Sequence, residues 1–107
     1  MAKEIGIIVG SLREGSLNRL VAKTFESILP KEYEATWIEI GDLPLYNEDL
    51  DQGEIPAEWQ RLRDTVQNVA GVMFFTPEYN RSVPAALKNA IDVGSRPMGV
   101  NVWGGKP

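Results

Sequence analysis

The sequence contains neither histidine nor cysteine. Without these residues the chain cannot form a Ser-His-Asp or Cys-His nucleophile, a structural zinc site with histidine and cysteine ligands, or a disulfide. Any reaction must therefore depend on a cofactor, on carboxylates, or on Lys, Tyr or Ser side chains. We expect no metal site.

Long hydrophobic runs and clustered basic charge are missing as well. No apolar run approaches the roughly 18 residues that a membrane span needs, and Met1 to Glu4 show no signal-peptide pattern. The 107 residues carry 11 Lys and Arg against 15 Asp and Glu, without the basic patch that a nucleic-acid site requires. We therefore expect a cytoplasmic protein that has neither a membrane nor a nucleic acid as its partner.

The excess of acidic charge comes from one segment. Between Gly41 and Ile55 there are 5 acidic residues and no basic one, which leaves 11 basic against 10 acidic residues elsewhere. Asp49 and Asp51 could suggest a calcium loop, but the glycine and the closing glutamate of an EF-hand are absent at the required spacing. We therefore expect this segment to be a solvated loop.

Three segments have the length and apolar character of strands. They comprise residues 5–10, 34–40 and 71–76, and the first and third are apolar almost throughout. Continuous apolar runs of this kind are typical of strands that are covered on both faces of a parallel sheet.

Helical periodicity follows each of these segments. A first helix is predicted from Leu17 to the residue before Pro30, a second from Pro56 to Val69, and a third from Pro84 to Gly94. Strand and helix thus alternate three times, which predicts right-handed βαβ units and an α/β fold with a parallel sheet. The apolar positions are Leu17, Leu20, Val21, Phe25, Ile28 and Leu29 in the first helix, Trp59, Leu62, Val66 and Val69 in the second, and Leu87, Ala90 and Ile91 in the third.

A polar loop, residues 10–18, follows the first strand. Gly10 and Gly15 have the spacing of a P-loop, but Ser16 stands in place of its lysine, and the Gly-x-Gly-x-x-Gly dinucleotide fingerprint is absent, so neither motif is predicted. The remaining polar groups, together with backbone N–H groups at a helix start, would suit a terminal phosphate. The alternative is that Ser16 only caps the helix and Arg13 is solvated. These polar side chains are Ser11, Arg13, Ser16 and Asn18.

A second polar loop, residues 76–84, follows the third strand. Pro77 and Pro84 stiffen it, and the groups between them could line one edge of a flat heterocycle. The two prolines are equally well explained as the end of a strand and the start of a helix.

The two loops meet if the sheet has the flavodoxin-like order 2-1-3-4-5. In that order the first and third strands are neighbours, and ligands bind at the carboxyl ends of the strands, where both loops begin. A phosphate site beside a planar-ring site predicts a mononucleotide such as FMN.

Two blocks of residues stand out in the sequence. The first is Gly10-Ser11-Leu12-Arg13 with Ser16 and Asn18, and the second is Thr76-Pro77-Glu78-Tyr79-Asn80 with Ser82, Pro84, Leu87-Lys88-Asn89-Ala90-Ile91-Asp92 and Ser95-Arg96-Pro97. These blocks resemble the NADPH-dependent FMN reductase family, which includes quinone, chromate and azo-dye reductases with a flavodoxin-like fold. The resemblance covers essentially the whole chain. It implies an FMN-dependent oxidoreductase that oxidises NADPH or NADH, passes electrons to a quinone-like or other small acceptor, and forms a homo-oligomer.

The resemblance also implies roles for individual residues. No side chain would carry the reaction by itself, because the flavin does so. Arg96 would contribute to the mouth of the site, or else would only interact favourably with a helix C-terminus. The FMN phosphate would be held by Ser11, Arg13, Ser16, Leu17 and Asn18. The isoalloxazine ring would be surrounded by Pro77, Glu78, Tyr79, Asn80 and Ser82.

Some positions bear on how far the resemblance extends. Family members commonly have Gly at the position of Arg81 and Trp at that of Val93. Arg81 would add charge near the flavin or point to solvent, and Val93 would remove an aromatic side chain from a subunit interface. The segment from Asp42 to Tyr46 resembles the part of the family that borders the pocket and the dimer contact.

Length is the largest departure from the family. A five-stranded domain needs about two further strand-helix units after the third strand, so we expect residues 1–107 to form a single, incomplete domain without strands 4 and 5. The third strand would then lie at a sheet edge. Two alternatives to a reductase are a flavodoxin-type electron carrier without its own NAD(P)H oxidation and an inactive fragment. A receiver-type signalling module is ranked last, because its acidic cluster and phosphoacceptor aspartate are missing.

Overall fold

A computed structural model describes residues 2–97 and 99–107. It contains 3 parallel strands in the order β2-β1-β3, which confirms the prediction that the first and third strands are neighbours in the sheet. The strands are β1 (Lys3–Val9), β2 (Tyr33–Trp37) and β3 (Gly71–Phe75). The helices are α1 (Leu17–Ser27), α2 (Ala57–Asn68) and α3 (Ala85–Gly94), and a 3₁₀ helix, Glu48–Asp51, precedes α2.

The second strand is shorter than its apolar pattern predicts. It ends at Trp37, after which the Ile38 N–H donates one more hydrogen bond to the Ile7 carbonyl at 2.9 Å. Ile38 and Ile40 are then buried against the helices, with 6% and 4% of their surface exposed. Their apolar character reflects the core and not the sheet, which a run of residues cannot distinguish.

One face of the sheet carries α2 and α3 and holds most of the core. Successive side chains of a strand point to opposite faces, so Ile8 joins this core whereas Ile7 and Val9 face α1. The predicted inward positions Leu87 and Ala90 are fully buried. The buried residues of this core are Ile8, Ile38, Ile40, Leu43, Trp59, Leu62, Val66, Leu87, Ala90, Val93 and Val102.

The other face of the sheet is covered less completely. Among the residues of α1 only Ala22 is buried, and Phe25 packs beside it. The first helix forms, but it ends at Ser27, so Ile28 and Leu29, which the spacing placed in it, lie beyond its last turn, where Pro30 disfavours helical backbone at the preceding residue. Leu17 is 77% exposed and Ile28 is 71% exposed. Together with Phe75 they line a groove, here called the α1 groove. Its lining consists of Leu17, Leu20, Val21, Thr24, Phe25, Ile28 and Phe75.

The strand β3 lies at the edge of the sheet, as predicted. Met73 and Phe74 are 38% and 43% exposed, although their composition is that of a covered strand. The last residues reach this edge, because the Val72 N–H donates to the Pro107 carbonyl at 2.8 Å. The Trp103 indole N–H donates to the Ile91 carbonyl at 3.0 Å and holds the same segment against α3.

The acidic segment is not a solvated loop throughout, and that prediction is wrong for Asp51. Its side chain is only 3% exposed and forms a bidentate ion pair with Arg63, both contacts being 2.9 Å long. Arg63 also donates from Nε to the Val93 carbonyl at 3.0 Å, and the Tyr46 hydroxyl donates to Asp51 at 3.0 Å. The segment is therefore fixed to both α2 and α3. Its acidic composition does not reveal this pairing, because the partner lies 12 residues further on.

No group of three or more His, Cys, Asp or Glu side chains within the described residues could hold a metal ion. No helix in residues 2–97 and 99–107 is both long and apolar enough to cross a membrane.

Replacing Asp51 with Asn removes the charge that neutralises the buried guanidinium of Arg63. We expect the free energy of unfolding to fall by about 3–5 kcal/mol, because a buried charge loses its partner. Asp42→Asn is the matched control, since it breaks an ion pair with Arg61 whose side chains are 51% and 41% exposed and should cost at most about 1 kcal/mol. Urea denaturation at neutral pH measures both, and equal losses would contradict the assignment.

The same pair predicts a specific acid sensitivity. The hydrogen bonds from Arg63 are the main cause that lowers the pKa of Asp51, and the hydrogen bond from Tyr46 adds to them. The unfolded value is about 3.9, so the stabilisation is complete above that pH and is lost as pH falls through the lower folded pKa. In thermal unfolding between neutral pH and pH 2, the wild type should therefore lose stability more steeply at the acid end than Asp51→Asn.

Candidate functional site

The carboxyl ends of β1 and β3 lie side by side, so the two polar loops start from the same edge of the sheet. The Gly10 N–H donates to the Phe75 carbonyl at 2.8 Å. The backbone of Gly10 then passes so close to Thr76 that a Cβ atom at position 10 would lie 2.8 Å from the Thr76 Cβ. Glycine is required at this point because the two strand ends touch. The space between the two loops is called the crevice below.

The first loop turns tightly and buries two hydroxyl-bearing residues. Ser11 and Ser16 are each 6% exposed. The Ser11 hydroxyl accepts a hydrogen bond from the Arg13 N–H at 3.4 Å, and the Ser16 N–H donates to the Arg13 carbonyl at 3.3 Å. Gly15 has a φ of 71°, which favours glycine in this turn. The Arg13 side chain itself is exposed.

The N-terminus of α1 is free to receive an anion. Ser16 precedes the helix, but its side chain makes no capping hydrogen bond, and the first turn contains no acidic residue. The first N–H groups of a helix have no acceptor within the helix, and they lie at the positive end of its dipole. The alternative reading of Ser16 as a simple cap therefore finds no support in its geometry. Of the next two residues, Leu17 is exposed and Asn18 is half-buried.

The second loop presents its polar side chains to solvent. Glu78, Tyr79, Asn80 and Ser82 are exposed, and Pro77 is half-buried. Tyr79 and Ser82 exchange backbone hydrogen bonds of 2.9 and 3.0 Å, which close a tight turn. The loop is thus rigid and leaves its amide and carboxylate side chains available to a ligand.

Arg96 lies apart from these two loops. It follows α3, a helix of 10 residues that begins at the end of the second loop. About 15 Å of helix therefore separates Arg96 from that loop. Arg96 borders a different cavity, of about 210 Å³. That cavity also contains the Tyr46 hydroxyl, and burial followed by the hydrogen bond to Asp51 raises the pKa of Tyr46. Its lining is Tyr46, Glu48, Asp51, Gln52, Arg96 and Pro97.

Asn89 holds the segment after β2 in place, a role that the sequence pattern does not reveal. Its Oδ1 accepts from the Tyr46 N–H at 2.8 Å, and its Nδ2 donates to the Pro44 carbonyl at 3.1 Å. The Trp59 indole N–H donates to the same carbonyl at 2.8 Å. The sequence does contain one sign of this role, because Asn89 is a polar residue between Leu87 and Ala90 on a helix face that is otherwise buried.

Gly10→Ala should separate the two strand ends, because the added methyl group would collide with the Thr76 side chain. We expect the free energy of unfolding to fall by about 1–3 kcal/mol, as for overpacked sites, in urea denaturation. Gly104→Ala is the control, since its nearest neighbour would be the Asn101 carbonyl at 3.5 Å, and its effect should stay within about 0.5 kcal/mol. If both variants behave alike, close packing is not what requires Gly10.

Several known proteins are similar in sequence to this chain. Residues 4–107 match the family model of NADPH-dependent FMN reductase. A quinone reductase from Pseudomonas putida is 52% identical over 103 residues, which are 96% of this chain and 55% of that protein. A 2-hydroxy-1,4-benzoquinone reductase from a Burkholderia species is 43% identical over 107 residues, covering 100% of this chain and 58% of the relative.

A solved structure shares the fold as well. FerB, a flavoenzyme NAD(P)H:(acceptor) oxidoreductase from Paracoccus denitrificans, matches with a TM-score of 0.93 at 43% identity, over 99% of this chain and 58% of FerB. This match and the strand order β2-β1-β3 confirm the predicted flavodoxin-like α/β fold. The chain spans 55% to 58% of the length of these relatives. On the family match and these identities, the chain belongs to the NADPH-dependent FMN reductase family.

Proposed function

We propose that the protein is an FMN-dependent oxidoreductase that oxidises NADPH or NADH and passes electrons to a quinone-like acceptor. One observation carries the proposal: an uncapped helix N-terminus with Ser11 and Ser16 buried beside it lies at the same sheet edge as the rigid second loop. Family membership and the printed activities of the relatives support it.

The residues of the first loop fit the phosphate of FMN. A phosphate dianion would accept hydrogen bonds from the free N–H groups of the first turn of α1, where the helix dipole also favours negative charge. The hydroxyls of Ser11 and Ser16, the amide of Asn18 and the guanidinium of Arg13 would complete its hydrogen bonds. Leu17 would contribute its backbone N–H, since its side chain is exposed.

The residues of the second loop fit a flat ring with hydrogen-bonding edges. Glu78, Asn80 and Ser82 would contact the donors and acceptors of the isoalloxazine, while Pro77 and Tyr79 would supply apolar surface and exclude water. When bound, FMN would supply the redox chemistry, which requires no histidine or cysteine from the protein. The task of the chain is then to orient the ring, and its rigid turn between Tyr79 and Ser82 serves that purpose.

Loading the purified chain with FMN tests the proposal. We expect a protein-bound flavin absorbance spectrum that bleaches when NADPH is added without oxygen and returns when 1,4-benzoquinone follows. Bound flavin that NADPH does not bleach would instead favour a flavodoxin-type electron carrier. A chain that retains no flavin would refute the cofactor assignment.

Ser16→Asp separates phosphate binding from ring binding in the same assay. The new carboxylate would repel the phosphate dianion, so FMN affinity should fall at least about tenfold, a loss of ~1.4 kcal/mol, whereas riboflavin, which has no phosphate, should bind as before. Gln67→Glu is the control, because it adds the same charge near the C-terminus of α2. The chain after α2 lies beside the amino end of β1, where the Ala70 N–H donates to the Glu4 carbonyl, whereas the first loop follows the carboxyl end of β1.

We also propose that the protein is a homo-oligomer that uses the surface around Leu45. Leu45 is 78% exposed, yet its neighbours on both sides are fixed by hydrogen bonds to Asn89 and Trp59. A large apolar side chain on an immobile backbone is suited to an interface. Ala85, Lys88 and Asp92 of α3 border the same surface.

Leu45→Asp should weaken this self-association. We expect the dimer dissociation constant in sedimentation velocity to rise at least about tenfold, because a charge would be desolvated at the contact. Val100→Asp, at a position that is 52% exposed, should have no effect. A wild type that stays monomeric at all concentrations would contradict the interface.

We further propose that the protein acts in the cytoplasm, where reduced nicotinamide dinucleotides are available. Cell fractionation with the intact protein would test this location.

A further inference from the structure

Arg81 has a backbone conformation that its side chain does not favour. The turn between Tyr79 and Ser82 contains Asn80 at a φ of 52° and Arg81 at a φ of 65°. Tight turns with two left-handed central residues favour Asn followed by Gly. Asn tolerates this region because its short polar side chain bonds locally, whereas Arg lacks that compensation. The turn would therefore be less strained with Gly at position 81.

Backbone hydrogen bonds between Tyr79 and Ser82 close the turn, but the Arg81 side chain adds nothing to them within the described residues. The Arg81 side chain is exposed, so burial does not stabilise it. The ion pairs across residues 2–97 and 99–107 use Arg61, Arg63 and Lys88 as their cations, and Arg81 takes part in none of them. A strained residue whose charge has no ion-pair partner in the described part of the chain points to a role toward a ligand.

The position of the turn indicates which ligand. It follows β3 at the sheet edge where the two loops meet, and the first loop supplies a separate set of groups for the FMN phosphate. Because Arg81 is exposed on the loop that begins at this edge, its guanidinium would be accessible to a molecule that enters after the flavin. Guanidinium groups bind phosphate and other anionic oxygens in a fixed two-pronged geometry.

We propose that Arg81 is a specificity-determining residue that binds an anionic oxygen group of the molecule entering the crevice, and that this function maintains the strained turn. The proposal rests on the proposed function. The anionic group is a phosphate of the nicotinamide dinucleotide or an ionised oxygen of the acceptor. Both offer the same chemistry to the guanidinium.

Three substitutions separate charge, geometry and strain. Arg81→Gln removes the charge and keeps the strain, Arg81→Lys keeps both charge and strain but loses the two-pronged geometry, and Arg81→Gly removes charge and strain together. Lys31→Gln is the control, because it removes the same charge from an exposed position between α1 and β2.

The variants are titrated with NADP⁺ and with 2-hydroxy-1,4-benzoquinone, by calorimetry, on the chain with and without FMN. We expect the dissociation constant of one of these anions to rise about tenfold in Arg81→Gln and Arg81→Gly, which corresponds to ~1.4 kcal/mol, and less in Arg81→Lys. A rise for NADP⁺ assigns the contact to the dinucleotide, and a rise for the hydroxyquinone, with neutral 1,4-benzoquinone unaffected, assigns it to the acceptor. Lys31→Gln should match the wild type.

A second measurement tests the strain independently of any ligand. The melting temperature should rise by a few degrees in Arg81→Gly and should stay unchanged in Arg81→Gln, because only glycine relieves the left-handed conformation. The proposal is overturned if both anions bind all variants as tightly as the wild type, if the wild type binds neither, or if Arg81→Gln loses FMN affinity instead. If the proposed function fails instead, the wild type will show no spectrum of bound flavin, a result that the anion titrations do not depend on.

Discussion

The hydrogen bonding of β1 between β2 and β3 is the constraint on which the rest of the structure depends. Because β1 is the central strand, its alternating side chains set the two layers: Ile8 faces α2 and α3, whereas Ile7 faces α1. Its pairing with β3 also ends at Gly10, where the two polar loops leave the sheet together. A shift of one residue in this register would exchange the two faces and separate the loops.

The two faces of the sheet are stabilised differently. The face under α2 and α3 combines a packed apolar core with the buried pair of Asp51 and Arg63, which joins the acidic segment to both helices. The face under α1 has one helix, and the α1 groove leaves Leu17 and Ile28 largely exposed. This face therefore derives less of its stability from burial of apolar surface than the opposite face.

The candidate site combines features that a stable fold would not need. The uncapped helix N-terminus and the arginine in a left-handed turn each lower stability slightly relative to the alternatives. They occur on two loops that start from adjacent strands, at Gly10 and Thr76. Their coincidence at one sheet edge supports the ligand site that we propose.

Much of this organisation was predictable from the sequence. The continuous apolar run ending at Gly10 identified β1, the three- and four-residue spacing identified each helix, and the motif residues from Thr76 to Asn80 identified the family. These features are local, because strand length, helical period and turn chemistry depend on residues close together in the chain. The sequence by itself therefore determined the fold class, the family and the two loops.

Only the tertiary structure decided that Asp51 is buried against Arg63, that Asn89 fixes the segment after β2, that Arg96 lies away from the crevice and that Arg81 is strained. Pairing and burial depend on residues that are distant in the chain and meet only in the folded structure, so a local sequence pattern does not reveal them. The backbone angle of Arg81 depends on the hydrogen bonds between Tyr79 and Ser82 that close its turn, and a residue type that disfavours this angle gives no sign of it.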